Sequence, residues 1–89
     1  MIVEFVNERD SSKFNADAIV LLAKIGEAQN WAVETRGRAG ITLDMPDDMG
    51  VKAQWDGLQA LEGVLARRDV RADLDVEYQE GDKLRYIMR

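Results

Sequence analysis

The sequence predicts an α+β domain of the ferredoxin-like, split βαβ kind: βαββαβ, with one additional strand from a C-terminal hairpin and two helices on one face of the sheet. Three observations carry that prediction. The C-terminal stretch alternates, with Ala72, Leu74, Val76 and Tyr78 on one side and Arg71, Asp73, Asp75 and Glu77 on the other. Past a turn at Glu80-Gly81-Asp82 the alternation resumes from Lys83 to Arg89, as in a β-hairpin with one apolar and one charged face. Upstream, two segments repeat apolar residues at helical spacing, and short alternating segments separate them.

The elements follow in order. Ile2 to Val6 reads as a strand, with Val3 and Phe5 on one face and Ile2, Glu4 and Val6 on the other. Apolar residues on both faces suit a central strand. Asn7 to Lys13 is a polar connection. Asn15 is placed to cap a helix from Ala16 to about Gln29, with Asp17 in its first turn and Phe14 closing over Ala18 as a staple. Ala18, Leu21, Leu22, Ile25 and Ala28 form its apolar stripe. Asn30 suits the left-handed stop.

Trp31, Val33 and Thr35 alternate with Ala32, Glu34 and Arg36; Gly37-Arg38-Ala39-Gly40 turns the chain, and Ile41, Leu43 and Met45 alternate with Thr42 and Asp44. The apolar sets coincide when Val33 faces Leu43 and Thr35 faces Ile41. Pro46-Asp47-Asp48 opens a second helix whose buried stripe reads Val51, Trp55, Leu58, Leu61 and Leu65. Arg67 and Arg68 complement the dipole at its end. Gly57 and Gly63 weaken this helix by about 1 kcal/mol each relative to Ala, and allow a close approach to the sheet. Right-handed crossovers then give the strand order 4-1-3-2, with the fifth strand beside the fourth. In the hairpin, pairs are expected to sum to 162, with Tyr78 opposite Leu84, Val76 opposite Tyr86 and Asp73 opposite Arg89.

Composition narrows the function classes. A chain of 89 residues holds one domain, 1–89. It contains no cysteine and no histidine, which removes disulfides, thiolate chemistry, and the commonest general base and transition-metal ligand. A net charge of −5 disfavours direct binding to a nucleic-acid backbone. No apolar run is long enough for a membrane span, and the opening residues do not resemble a secretory signal, so a cytoplasmic protein is expected. Abundant Arg, Ala, Val, Gly and Asp suggest a bacterial or phage genome.

Candidate sites are few. Asp73, Asp75 and Glu77 share a strand face at about 7 Å spacing, too wide for all to ligate one Mg²⁺, so paired surface charges are the better reading. Asp44, Asp47 and Asp48 cluster before the second helix without an EF-hand pattern. Gly37 to Gly40 is no phosphate loop, because it precedes a strand rather than a helix. Ser11 and Ser12 lack an activating base. Trp31 and Trp55 read as core anchors. Neither catalytic nor cofactor nor metal residues are assigned.

The βαββαβ order resembles that of small regulatory and adaptor domains, amino-acid-binding ACT-type domains among them. That resemblance implies a glycine-containing ligand turn after the first strand, which Asn7 to Phe14 does not supply. There is also a likeness to the phosphocarrier proteins of sugar transport, whose phosphoacceptor histidine is missing here.

The expectation is a non-enzymatic protein-interaction module, an inhibitor or adaptor, whose protein partner presents a basic surface of the kind found in nucleic-acid-handling machines. A homodimer is a further expectation. The partner-binding residues would be those of the helix-free sheet face: Ile2, Glu4, Val6, Asp73, Asp75, Glu77 and Ile87. The alternatives are a small-ligand regulatory domain of ACT-like topology and a carboxylate-dependent metal enzyme.

Overall fold

The computed structural model describes residues 1–8, 13–78 and 81–89. Ser11, Ser12 and Glu80, named above for a nucleophile and a turn, lie outside these residues. The chain forms β1 (Ile2–Asn7), α1 (Lys13–Ala28), β2 (Ala32–Thr35), β3 (Gly40–Asp44), α2 (Val51–Arg67), β4 (Ala72–Leu74) and β5 (Lys83–Met88).

The α+β class stands, but the strand order is β2-β3-β1-β5-β4 rather than the ferredoxin-like arrangement with β4 beside β1. β5 takes that place, parallel to β1, and β4 forms the edge, antiparallel to β5. The residues account for the exchange. β4 has three residues and ends on the exposed Leu74. β5 has six, buries Tyr86 and Met88, and stacks Tyr86 on Phe5 of β1 with ring centroids 5.1 Å apart. The strand able to bury more apolar surface takes the central position.

The hairpin parity is as expected but its register is not. Ala72 faces Met88, Asp73 faces Ile87 and Leu74 faces Tyr86, two residues displaced from the expected pairing. A turn begins at Asp75, whose Oδ1 accepts the Glu77 amide at 3.2 Å and whose carbonyl accepts that of Tyr78. Val76 is thereby exposed, and Tyr78 lies against Arg85 instead of joining the apolar face. The β2–β3 hairpin pairs as the alternation predicts, Val33 with Leu43 and Thr35 with Ile41.

Val3, Phe5, Ile41, Leu43, Tyr86 and Met88 line the core on the side where the helices supply Ala18, Ile19, Leu22, Leu58, Leu61 and Leu65. α1 starts at Lys13, so Asn15 is not its cap. Asn15 is buried instead, donating from Nδ2 to Asn7 Oδ1 at 2.8 Å, while Asn7 Nδ2 donates to the Arg38 carbonyl at 2.9 Å. Those bonds tie α1, β1 and the β2–β3 turn together. Phe14 is exposed and forms no staple. Asn30 does end α1 in the left-handed region, at φ 62°.

α2 begins at Val51 after Gly50 at the N-cap, with Pro46–Met49 forming a turn ahead of it. Its buried line runs through Leu58, Leu61, Val64 and Leu65. Val51 and Trp55 are not part of it: they are 85% and 62% exposed. Trp31, buried beneath α2, occupies the space instead, and a Cβ on Gly57 would stand 2.9 Å from its ring. Gly57 therefore permits the close approach expected of it. Gly63 does not serve that purpose, since a Cβ there meets only the Arg67 side chain at 3.5 Å.

Candidate interaction surfaces

The helix-free sheet face carries Ile2, Glu4, Val6, Asp73 and Ile87 as the alternation places them, but not Asp75 and Glu77. β4 ends at Leu74, and those two carboxylates stand in the turn that follows it. Across its middle row Glu4 lies between Thr42 on β3 and Arg85 on β5. In the row above, Val6 lies between Gly40 and Ile87, and Ile87 faces Asp73. Ile2, Val6 and Ile87 are half-buried, so each offers only part of its side chain.

Glu4 is the hub of this face. Its side chain is 12% exposed and is ringed by cations: Arg85 Nε at 2.7 Å from Oε1, Arg36 Nη2 at 3.4 Å from Oε2 and Lys83 Nζ at 3.8 Å from Oε2. Arg36 also donates from Nη1 to Thr42 Oγ1 at 2.7 Å. The Arg85 guanidinium stacks 3.6 Å from the Tyr78 ring centroid. Its hydrogen bond to Glu4 raises its pKa above the ordinary arginine value despite partial desolvation. Asp73 is paired in turn with Arg71 at 3.1 Å and Arg89 at 3.4 Å. The centre of this face thus holds three cations around one carboxylate. The acidity of the chain does not reside there, and alternation alone could not show how many cations the neighbouring strands would bring to Glu4.

The acidity collects at one end of the molecule. At the end where β3 finishes and α2 begins stand Asp44, Asp47, Asp48, Asp56 and Asp82. Against them stand Lys52, 3.9 Å from Asp56, and Lys83, which Glu4 engages. The N-terminal ammonium of Met1 lies 3.7 Å from Asp47. An open cleft of about 640 Å³ runs between Met1, Ala32, Asp44, Asp47 and Asp82. Among the described residues no group of three or more carboxylates is placed to hold a metal ion. The opposite end carries Arg36, Arg38, Arg67, Arg68, Arg71 and Arg89, offset by Glu8, Asp17, Asp69 and Asp73.

On the acidic end Val51 and Trp55 project from one flank of α2. Their spacing continues through Leu58 to Glu62, whose Oε1 accepts the Tyr86 hydroxyl at 3.0 Å. The stripe therefore runs along the side of α2 that faces β5. Sequence reasoning assigned this pair to the core because its helical spacing matches a buried stripe. The distinguishing signal was Gly57, the position nearest Trp31. A Trp left in solvent at the acidic end of the molecule suits contact with another molecule.

Comparisons with protein-family models, with curated proteins and with solved structures find no match to this chain. Among the described residues no helix is long and apolar enough to cross a membrane.

Proposed function

We propose that this domain is a cytoplasmic, non-enzymatic protein-interaction module, an adaptor or inhibitor, whose partner offers a basic surface with apolar side chains. The exposed Val51–Trp55 pair carries the reading, on a helix whose Gln54 lines a cleft with Asp47 and Asp82 and whose next residue after Trp55 is Asp56. Trp supplies a large contact area at low entropic cost, and carboxylates at the same end of the molecule accelerate encounter with a cationic partner. The helix-free face, through Ile2, Val6 and Ile87, is a second surface in this reading. Glu4 and Asp73 on that face are already engaged by cations. The exposed carboxylates of that face are Glu34 and Asp44 on its β2–β3 side, while Asp75 and Glu77 stand beside it in the turn after β4.

Retention of proteins from the native host extract tests the proposal. The wild-type chain, Trp55→Ala and the charge reversal Asp47→Lys with Asp56→Lys are compared as baits. The reading expects a basic protein held by the wild type and lost by both variants, with salt weakening its retention. Retention of the same proteins by all three baits overturns it. Loss confined to a Val6→Lys with Asp75→Lys variant transfers the interface to the sheet face.

A further inference from the structure

β2 is an edge strand among the described residues, and its hydrogen-bonding groups can be assigned from its neighbours. The Asn7 amide bonds the Ala39 carbonyl and the Met45 amide bonds the Met1 carbonyl, so the odd-numbered residues of β3 point their backbone groups at β1. The even-numbered ones point at β2, in agreement with the Arg36 amide bonding the Gly40 carbonyl. Val33 and Thr35 are left directing their N–H and C=O groups outward. Beside that edge lies an open groove of about 430 Å³, walled by Ala16, Val20 and Ala23 of α1 and by Thr35. Val20 is 54% exposed there. Arg38, Lys24 and Glu27 are its charged lining, with Lys24 and Glu27 three residues apart on α1.

We propose that this groove receives an extended peptide by strand addition. The peptide pairs with Val33 and Thr35, lays alternate apolar side chains against Val20 and the two alanines, and sets an acidic residue near Arg38. Unpaired edge groups provide the backbone bonds, and a small-residue wall provides room for every second side chain. Arg38 selects an acidic residue at that end, while Glu27 lies further along α1 beside Lys24. A second copy is the poorer occupant: two β2 edges paired antiparallel about Glu34 place like charges opposite each other. The site is separate from the Val51–Trp55 surface and does not depend on it.

Selection of a random linear heptamer library against the immobilised full chain tests the proposal, with NMR footprinting of the best synthetic peptide. Enriched sequences are expected to alternate apolar residues at every second position and to carry Asp or Glu at one end. The Val33 and Thr35 amides should shift and gain protection from exchange. N-methylation of the peptide at its pairing amides and Val20→Lys in the domain should each weaken binding by about tenfold or more. Failure to enrich any peptide overturns the proposal, as does a peptide that tolerates N-methylation. A footprint on Val51 and Trp55 also overturns it and supports the α2 surface instead. Dimerisation through the β2 edge, seen by sedimentation together with protection of the same amides, replaces the peptide with a second copy.

Discussion

Glu4 shows how one residue can organise a surface. Its carboxylate neutralises side chains from three places in the sequence, Arg36, Lys83 and Arg85, and each depends on the sheet register for its position. Glu4→Gln leaves those cations converging with no counter-charge, and a loss of about 1–3 kcal/mol is expected in urea denaturation. Added salt should restore part of it by screening the cations. Arg85→Gln should cost less, because two cations remain on the carboxylate. A larger loss from Arg85→Gln would show that the stack on Tyr78 outweighs the ion pairs. Tyr86 governs a different property. Burial, reinforced by its bond to Glu62, lifts its pKa from 10.0 to about 12. The folded state therefore holds this proton more tightly than the unfolded chain. The stabilisation is complete below pH 10 and is lost as pH rises towards 12. Tyr86→Phe should flatten the stability profile across that window, as followed by denaturant titrations at successive pH values. The tryptophans offer a third check. Trp31 is 7% exposed and Trp55 is 62% exposed, so acrylamide should quench one emission component readily and spare the other. Trp55→Phe should remove the quenchable component; quenching that persists would place Trp31 in solvent.

At the scale of the element, glycine decides how the helices meet the sheet. A Cβ on Gly26 of α1 would stand 2.6 Å from both Leu43 Cδ2 and Val33 Cγ2. Gly26→Ala should therefore destabilise by about 1–3 kcal/mol through overpacking. Gly63 of α2 has no such crowding, so Gly63→Ala should stabilise by about 1 kcal/mol through helix propensity. Thermal melts of the two variants should move in opposite directions, by about 4–8 °C per kcal/mol. A rise for Gly26→Ala would show that α1 can lift from the sheet without cost. The same contrast explains what could be read from the chain. Strand faces were legible, because alternation reports directly which side chains share a side, and the β2–β3 register followed from it. The stripe of α2 was only partly legible. Val51 and Trp55 have the spacing of a buried face, yet the line that meets the core is rotated towards Gly57, where a glycine admits Trp31. Periodicity counts apolar residues and cannot weigh a glycine that accepts a neighbour's ring. The cation ring on Glu4 was hidden for a related reason, since Lys83 and Arg85 reach it only because β5 takes the place beside β1.

Strand order is the property of the whole molecule that alternation could not supply. The expected topology and the observed one contain strands in the same sequence order, β4 being shortened to Ala72–Leu74, and parity keeps the paired residues on the same face in both. They differ in whether β4 or β5 neighbours β1, and therefore in what the molecule loses when each is damaged. In the expected order β5 is an edge strand, and removing it would leave a four-stranded sheet with its centre intact. In the observed order β5 separates β1 from β4 and carries Tyr86 and Met88 into the core, so its removal strips one side of β1 and isolates β4. Burial of such a side chain stabilises by about 1.5–3 kcal/mol, and a small domain has about 5–15 kcal/mol in total. A chain ending at Gly81 should accordingly show no cooperative thermal transition by circular dichroism. Leu74→Pro in β4 should be mild. The Asp75 amide bonds the Arg85 carbonyl and the Arg89 amide bonds the Arg71 carbonyl, so the Leu74 amide points away from β5 at the sheet edge. Its cost should stay within about 2 kcal/mol, with cooperativity retained. A cooperative melt from the truncated chain, combined with unfolding by Leu74→Pro, would reverse the positions of the two strands and restore β4 to the side of β1.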